Sequence, residues 1–346
     1  MISRSFRALF GTVGNAVLSL VMLTLFAVVV PRFFAWAFLD ATWQAVSRRA
    51  CAPDGACWAF IGARLPLLIY GRYPASGYWR VDVAFLLLAI VCAGCLFSAR
   101  RGLFIVALLL VVPAVGGVLL VGGVAGLPRV EAADWGGLML NVILSYATIV
   151  GALPLGMALA FGRRSTLPFL RYASIAFIEF WRGVPLLAVL FMGLILLPMF
   201  LPDGLSVPNL IRAVVVLILF ESAYVAETIR GGLQGVPAGQ AEAAIALGMH
   251  PAHAQILVVL PQAMRLAIPG IINIVIDLFK DTTLVSIVGI FDVMGMITLS
   301  LKDPAWLGLA TEGYIFAAVL FFVCCLVFSL AGGFLERRFR AGSRAR

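Results

Sequence analysis

Long apolar runs constrain this chain more than any other feature. A bilayer-spanning helix needs about 20 predominantly apolar residues. Backbone groups in lipid have to be hydrogen-bonded internally, and the runs lack the alternation of a membrane barrel, so each run is predicted to be a transmembrane helix. The fold class is therefore expected to be an all-α polytopic integral membrane protein with about eight transmembrane helices. The runs lie at about 12–39, 82–98, 103–124, 136–161, 184–201, 209–229, 265–290 and 311–335.

Composition supports this class. The chain is 63% hydrophobic and 12% charged, whereas a typical soluble domain has about 25% charged residues. The net charge of +9 comes mostly from arginines dispersed among the loops, which membrane topology and anionic headgroups already require. Nucleic acid is therefore not an expected partner, while membrane lipid is.

Loop arginines also predict the orientation. Cytoplasmic loops carry excess positive charge, and most of the basic residues fall on one side if the N-terminus is inside. Both termini are therefore expected to be cytoplasmic. The first run is too long for a cleavable signal peptide and is expected to be retained. The long outer loop, about 40–80, is an exception to the charge rule, with Arg48, Arg49, Arg64, Arg72 and Arg80.

The chain divides into three predicted parts: an N-terminal region of three helices at 1–130, a five-helix core at 131–336 and a basic cytoplasmic tail at 337–346. Cys51 and Cys57 lie in the outer loop, where an oxidising compartment would allow a disulfide. Both the bonded and the reduced state stay open. The other four cysteines lie within apolar helices and are interpreted as packing residues.

A polar segment separates the sixth and seventh runs, within a predicted loop at about 230–264. Pro237 is typical of a helix start and Gly248 of a helix end, and Pro251 can begin a second short helix. The segment is either a docking site for another protein or a solvated amphipathic loop on the bilayer surface. Its characteristic residues are Glu242, Ala243, Ala244, Gly248, Leu260 and Pro261.

Charged residues within the spans are a second functional clue, because they are costly in lipid. In the seventh run, Asn273, Asp277, Lys280 and Asp281 are spaced to share one helix face. They either line a translocation path, which we favour, or form an internal Lys280–Asp277 ion pair that orients the helix.

The sixth run contributes Glu221, Tyr224 and Glu227. Glu227 can pair with Arg230 at i+3, so that pair is interpreted as structural. Glu221 has no partner in its own helix and joins Tyr224 as a candidate for the substrate path. Two carboxylates in a pore, Glu221 and Asp277, would either favour cationic solutes or screen Lys280.

Other polar residues are weaker candidates. Near the outer end of the fourth helix, contact with solute competes with an interfacial belt, which is favoured. His250 and His253 lack a third ligand, so no metal site is expected. No catalytic set is visible, and the chain is not expected to be an enzyme. The candidates in the fourth helix are Trp135, Asn141, Ser145 and Tyr146.

Residues 242–261 resemble the cytoplasmic E-A-A-x3-G-x9-I-x-L-P loop of bacterial ABC importer permeases, with Val258 in place of isoleucine. The stretches 177–187, 222–232 and 279–284 are similar to further blocks of the polar amino-acid branch of that family. The resemblance covers roughly 136–335. The N-terminal part, with the motif at 71–74, is similar to the longer permeases of general L-amino-acid systems.

This resemblance implies a type I ABC importer permease core in the inner membrane of a bacterium, which translocates amino acids. The implied partners are a cytoplasmic ATPase dimer, a second permease subunit that is either homologous or identical, and a periplasmic solute-binding protein. ATP and Mg would bind to the ATPase, because this chain has no G-x-x-x-x-G-K-[ST] and no cofactor of its own is expected. The polar segment would be the coupling helix. The acids Glu221 and Asp277 depart from the small residue and the glycine that the family usually has.

The main alternative is an ion-coupled secondary transporter of a small polar or cationic solute, in which the intramembrane charges bind coupling ions. It explains the charges but not the polar segment. A third alternative is a scaffold that transports nothing.

Overall fold

The computed structural model describes residues 9–98, 100–200, 202 and 207–344, and these residues contain helices and isolated bridges but no β-strand. They form two compact units. One unit comprises Met1–Leu65, described from residue 9, and Leu299–Phe316. The other comprises Pro66–Thr298 and Ala317–Arg346, described apart from the gaps above.

The described helices are numbered here in chain order. They are α1 (Val13–Phe34), α2 (Ala59–Tyr70), α3 (Tyr78–Phe97), α4 (Arg101–Val121), α5 (Gly137–Gly162), α6 (Pro168–Gly183), α7 (Leu186–Phe200), α8 (Asn209–Gln234), α9 (Gly239–Ala246), α10 (Pro251–Ser286), α11 (Val293–Ser300) and α12 (Ala310–Arg344).

Seven of the described helices are long and apolar enough to cross a membrane, and an eighth span is counted if α6 and α7 form one broken span. The prediction of about eight spans is therefore confirmed. The two halves of the broken span meet at 102°. Pro185 causes the bend, because it lacks an N–H donor and favours an extended Val184, and Val184 has φ −105° and ψ 137°.

The sequence did not predict α6, because its apolar residues are interrupted by charges. One of its faces is buried through Ser174 and Ile178. The predicted run at 184–201 corresponds to α7 alone.

The seventh span begins earlier than predicted. Pro251 occupies the first turn of a helix that continues to Ser286, with a π-helical stretch at Ala254–Val259. A helix does begin at Pro251 as predicted, but it is not a separate short helix, because it continues into the seventh span. Gln262 and Arg265 resemble loop residues in the sequence, but an amphipathic helix includes them without a break.

Helix α8 is the centre of the larger unit, where it packs against α5, α6 and α10. Small residues allow the helices to approach closely, as is common between membrane helices. A Cβ added to Gly156 of α5 would lie 2.8 Å from the Ser222 carbonyl oxygen of α8. A Cβ added to Gly232 of α8 would overlap the Ala263 carbonyl oxygen of α10. Substitution of either glycine would therefore push two spans apart.

The smaller unit contains the part of the predicted outer loop that precedes Pro66. Cys51 and Cys57 form a disulfide there. The backbone N–H of Cys57 donates to Oε1 of the buried Glu312 at 3.1 Å, and Arg64 forms an ion pair with Asp303. The loop segment is thus fastened to the first turn of α12 and to Asp303, which precedes that helix.

Arg80, in the larger unit, explains part of the exception to the charge rule. Its side chain is only 2% exposed and donates to the carbonyl oxygens of Leu119 and Pro128. The Tyr73 hydroxyl donates to the adjacent Leu120 carbonyl oxygen at 2.9 Å. A guanidinium at a helix C-terminus satisfies carbonyls that would otherwise lack partners. Arg80 therefore caps the C-terminus of α4, and its charge is not a signal of membrane topology.

Candidate functional site

The short helix α9 carries the Glu-Ala-Ala motif. Glu242 lies in its first turn, where a carboxylate interacts favourably with the helix dipole. Gly248 ends the helix with φ +87°, a left-handed conformation that glycine adopts without a Cβ penalty. The Met249 N–H donates to the Ala244 carbonyl oxygen at 3.1 Å across this turn. The helix start predicted at Pro237 and the helix end predicted at Gly248 thus both correspond to the observed ends of α9 to within two residues.

One side of α9 faces the chain and the other is open. Ala244 is buried and α9 packs against the π-helical start of α10. Glu242 and Ala243 are exposed, and so are the apolar side chains of Ile245, at 45%, and Leu247, at 86%. A carboxylate beside small and apolar exposed side chains is a surface that another protein can cover.

Leu260 and Pro261, the other motif residues, begin the α-helical part of α10. The Gln262 side chain donates to Gln240 of α9 at 3.2 Å. His250 accepts a hydrogen bond from the Ala252 N–H through Nδ1, at 3.3 Å, and so caps the start of α10. The motif therefore joins α9 directly to the seventh span.

A cavity of about 400 Å3 lies between α8 and α10. The structure brings together there all four charged residues predicted for the substrate path, and adds Phe220 and Ile274. Asn273 is not among the lining residues. The predicted residues that line the cavity are Glu221, Tyr224, Asp277, Lys280 and Asp281.

The charges in this cavity are unequally compensated. Lys280 Nζ lies 2.8 Å from Asp277 Oδ1, and both side chains are more than half exposed. Glu221 is 4% exposed. Its carboxylate has no hydrogen bond or ion pair with any residue that the structure describes. Three carboxylates and one ammonium therefore share the cavity, with the most buried carboxylate unpaired.

A second ionic cluster lies further along α8, centred on Glu227. Its Oε1 is 2.7 Å from Nη1 of Arg163, and its Oε2 is 2.9 Å from Nη2 of Arg230 and 3.8 Å from Nη1 of Arg182. Arg163 also contacts Glu179 of α6 at 3.1 Å. The predicted Glu227–Arg230 pair is thus one edge of a cluster that joins α5, α6 and α8.

Asn141 belongs to a buried polar cluster that the sequence did not predict. Its Nδ2 donates to Thr282 Oγ1 at 2.9 Å and to Asp292 Oδ2 at 3.0 Å, and all three residues are fully buried. Asp292 Oδ1 accepts from the Gly295 N–H at 2.9 Å, at the start of α11. Burial raises the pKa of Asp292 to about 6, against the opposing effect of these hydrogen bonds. Asn141 therefore links α5 to the segments that contain Thr282 and Asp292, and it does not face solute.

Large separations along the sequence explain why the cluster around Glu227 was not fully predicted. Arg163 and Arg182 lie 64 and 45 residues before Glu227, and both resemble ordinary topology arginines. Asp292 follows an apolar run and has no neighbouring charge in the sequence. A signal for it does exist, because an aspartate directly before a helical segment is a preferred N-cap.

Comparison with known proteins places these sites in a family context. The model of the binding-protein-dependent transport system inner membrane component family matches residues 152–341. That range includes α9 and both helices that line the acidic cavity.

Two relatives match across nearly the whole chain. The inner membrane amino-acid ABC transporter permease protein YhdY of Escherichia coli K12 is 46% identical over 337 residues, 96% of this chain and 92% of that protein. The glutamate/glutamine/aspartate/asparagine transport system permease protein BztC of Rhodobacter capsulatus is 35% identical, with 88% of this chain and 86% of that protein covered.

A solved structure agrees with the sequence relatives. A crystal structure of an amino acid ABC transporter with histidines matches with a TM-score of 0.53 and 32% identity, covering 58% of this chain and 92% of that one.

Proposed function

This chain belongs to the family of binding-protein-dependent transport system inner membrane components, and on that premise we propose that it imports amino acids as one permease subunit of an ATP-driven complex. Its role is transport rather than catalysis. The fold is an all-α multi-pass membrane fold of the ABC importer permease type. In this complex the chain works with a cytoplasmic ATPase dimer, a second permease subunit and a periplasmic solute-binding protein. ATP and Mg bind to the ATPase.

The observation that carries the coupling role is the open face of α9. Its exposed Glu242, Ile245 and Leu247 can dock in a groove of the ATPase, and α9 continues through one turn into α10. A push on α9 reaches α10 through the short turn at 247–250 and through the packing of α9 on Ala254–Val259. It is then carried along α10, because that helix is unbroken from Pro251 to Ser286. Closure of the ATPase dimer would thereby move the wall of the acidic cavity. A secondary carrier has no use for such a surface.

This assignment sets the orientation. The face of the membrane that carries α9 is cytoplasmic, and with it both termini. The loop that holds the Cys51–Cys57 disulfide is then periplasmic, where oxidising conditions maintain disulfides. The protein resides in the bacterial inner membrane.

Reconstituted uptake tests the coupling role. The chain is placed in vesicles with its ATPase, second permease and binding protein, and uptake of a labelled amino acid is followed with and without internal ATP. We expect Glu242→Lys to abolish ATP-driven uptake and to leave the amount of inserted protein unchanged, because the added positive charge opposes docking. Uptake that needs only an ion gradient would reject the importer.

Asp54→Lys is the matched control for charge reversal. Asp54 is an exposed carboxylate of the disulfide loop, on the membrane face opposite α9 in the proposed orientation. This variant should transport normally. If Glu242→Lys transports as well as Asp54→Lys does, α9 is not the ATPase contact.

The acidic cavity is the proposed solute path. Lys280 and Asp277 are exposed on the surface of a single chain, and ionised groups do not face lipid without a large cost. They therefore face the second permease subunit or an aqueous path between the two. The excess of carboxylates favours solutes that carry an additional cationic group. It disfavours solutes with acidic side chains, such as the glutamate and aspartate in the name of the Rhodobacter relative.

Selectivity measurements test the cavity. The double change Glu221→Ala and Asp277→Gly should lower the ratio of basic to neutral amino-acid uptake, because it removes two of the three carboxylates. The ratio is measured in the same vesicles, with ATP hydrolysis as the control for coupling. An unchanged ratio with normal insertion would show that these acids do not contact solute, and would leave the coupling role intact.

A further inference from the structure

Trp135, next to the start of α5, lines several cavities, and two of them also share Ile143. The first, of about 200 Å3, lies between α3, α4 and α5 and is lined by residues such as Phe85, Pro113 and Gly117. The second, of about 620 Å3, lies between the end of α4 and the start of α8. Trp135 and Ile143 line both. The two cavities therefore adjoin at these two side chains, and they are called here the first and second chambers of one cleft.

The first chamber is apolar. Besides the Trp135 indole, its polar group is the Tyr146 hydroxyl, which already donates to the Leu108 carbonyl oxygen. An apolar cavity of about 150 Å3 in a soluble protein stays dry and binds small hydrocarbons. Helices α3, α4 and α5 are all candidate membrane spans. In a bilayer the apolar group available to fill such a chamber is a lipid acyl chain.

Trp135 supplies a hydrogen-bond donor that lacks an acceptor. Its Nε1 is buried and has no hydrogen-bond partner among the described residues. A buried donor without a partner costs about 1–3 kcal/mol. An acceptor from a bound molecule would remove that cost, and the ester and phosphate oxygens of a phospholipid lie next to its acyl chains.

The second chamber supplies opposite charges. Arg129 and Glu131 both line it and both are exposed. Within the described part of the chain, neither side chain makes an ion pair or a hydrogen bond. A cation and an anion two residues apart, each unpaired, are complementary to a headgroup that carries both charges.

We propose that this cleft binds a zwitterionic phospholipid. One acyl chain occupies the first chamber, oxygens of the headgroup region accept from Trp135 Nε1 and Arg129, and the ammonium faces Glu131. The bound lipid fills the space between α3, α4 and α5. This site is separate from α9 and from the acidic cavity, so it stands or falls independently of the transport role.

Native mass spectrometry of the full chain in detergent, titrated with dioleoyl phosphatidylethanolamine, tests the acyl chamber. Gly117→Leu fills it, since a Cβ at Gly117 meets nothing within 4 Å and leucine favours the helix. Gly102→Leu is the matched control, because Gly102 is equally open but does not line the cleft. We expect Gly117→Leu to weaken binding at least tenfold and Gly102→Leu to leave it unchanged. Equal binding by all three proteins would overturn the proposal.

The headgroup is tested with dioleoyl phosphatidylglycerol, which lacks the ammonium. The wild-type protein should prefer phosphatidylethanolamine, and Glu131→Gln should abolish that preference. Arg129→Gln should weaken binding of both lipids. No preference in the wild-type protein would overturn the zwitterionic assignment, as would a preference that survives Glu131→Gln.

Discussion

Two glutamates of α8 have opposite surroundings although they lie six residues apart. Glu227 is surrounded by the guanidinium groups of Arg163, Arg182 and Arg230. Glu221 is buried beside Asp277 and Asp281, which share its negative charge. One carboxylate is overcompensated by cations and the other is not compensated at all.

The difference separates structure from function. Burying a charge costs free energy unless partners offset it. The cluster around Glu227 offsets its cost and ties three helices together, so its contribution is to stability. The cost at Glu221 is not offset within the described chain, and a cationic group that enters the cavity would offset it. Uncompensated buried charge is a common property of functional sites.

Glu227→Gln should have the largest effect on stability. Its removal leaves three arginines close together without the carboxylate that they share, which costs several kcal/mol when such a site is fully buried. Glu227 and its partners are partly exposed, so solvent screening reduces the loss to about 2 kcal/mol. Thermal unfolding of the detergent-purified protein measures it. A variant as stable as the wild-type protein would show that the cluster is incidental.

Glu221→Gln should have the opposite effect on stability. Glutamine keeps the shape and removes a group that is costly to bury in its ionised form, so stability should be unchanged or should rise by about 1 kcal/mol. The same variant should transport basic amino acids less well relative to neutral ones. Destabilisation as large as that of Glu227→Gln would mean that Glu221 has a structural partner, and the contrast between the two glutamates would be wrong.

Asp292 is an intermediate case, since neutral donors rather than cations surround its buried carboxylate. Its pKa is raised from the ordinary 3.8 to about 6. The folded state therefore binds the proton more tightly, so this contribution to stability is fully present below about pH 4 and is lost as the pH rises through 6. Between pH 7.5 and pH 5 the wild-type protein should gain about 1 kcal/mol relative to Asp292→Asn.

Unfolding temperatures of both proteins across that range check the prediction. Every other group that titrates in this range is common to the two proteins and cancels in the difference. A constant difference between wild type and variant would show that Asp292 does not titrate in this range.

Local signals in the sequence were sufficient for part of this picture. The apolar runs identified the spans, and Pro237 and Gly248 marked α9, because both depend on neighbours within a few residues. The Glu227–Arg230 contact follows from i+3 spacing for the same reason. The disulfide loop was located, although its bonded state stayed open until the structure paired Cys51 with Cys57.

Contacts between distant segments could not be predicted in this way. Arg163, Arg182 and Arg80 look alike in the sequence, as arginines beside apolar runs. The structure gives the first two to Glu227 and the third to the end of α4. Helix α6 was missed because its apolar residues form one face rather than a run, and only packing against other helices stabilises such a face.

Glu179→Gln should have the smallest effect and defines the limit of the cluster. Glu179 contacts Arg163 at 3.1 Å, but its side chain is 56% exposed, and exposed pairs contribute about 0.2–1 kcal/mol. Arg163 retains its shorter contact with Glu227, so the variant should lose less than about 0.5 kcal/mol. In the Glu227→Gln background Glu179 is the one carboxylate left in an ion pair with Arg163 among the described residues, so the same change should then cost more. A double-mutant cycle by thermal unfolding measures this coupling; strict additivity would mean that the two glutamates act on Arg163 independently.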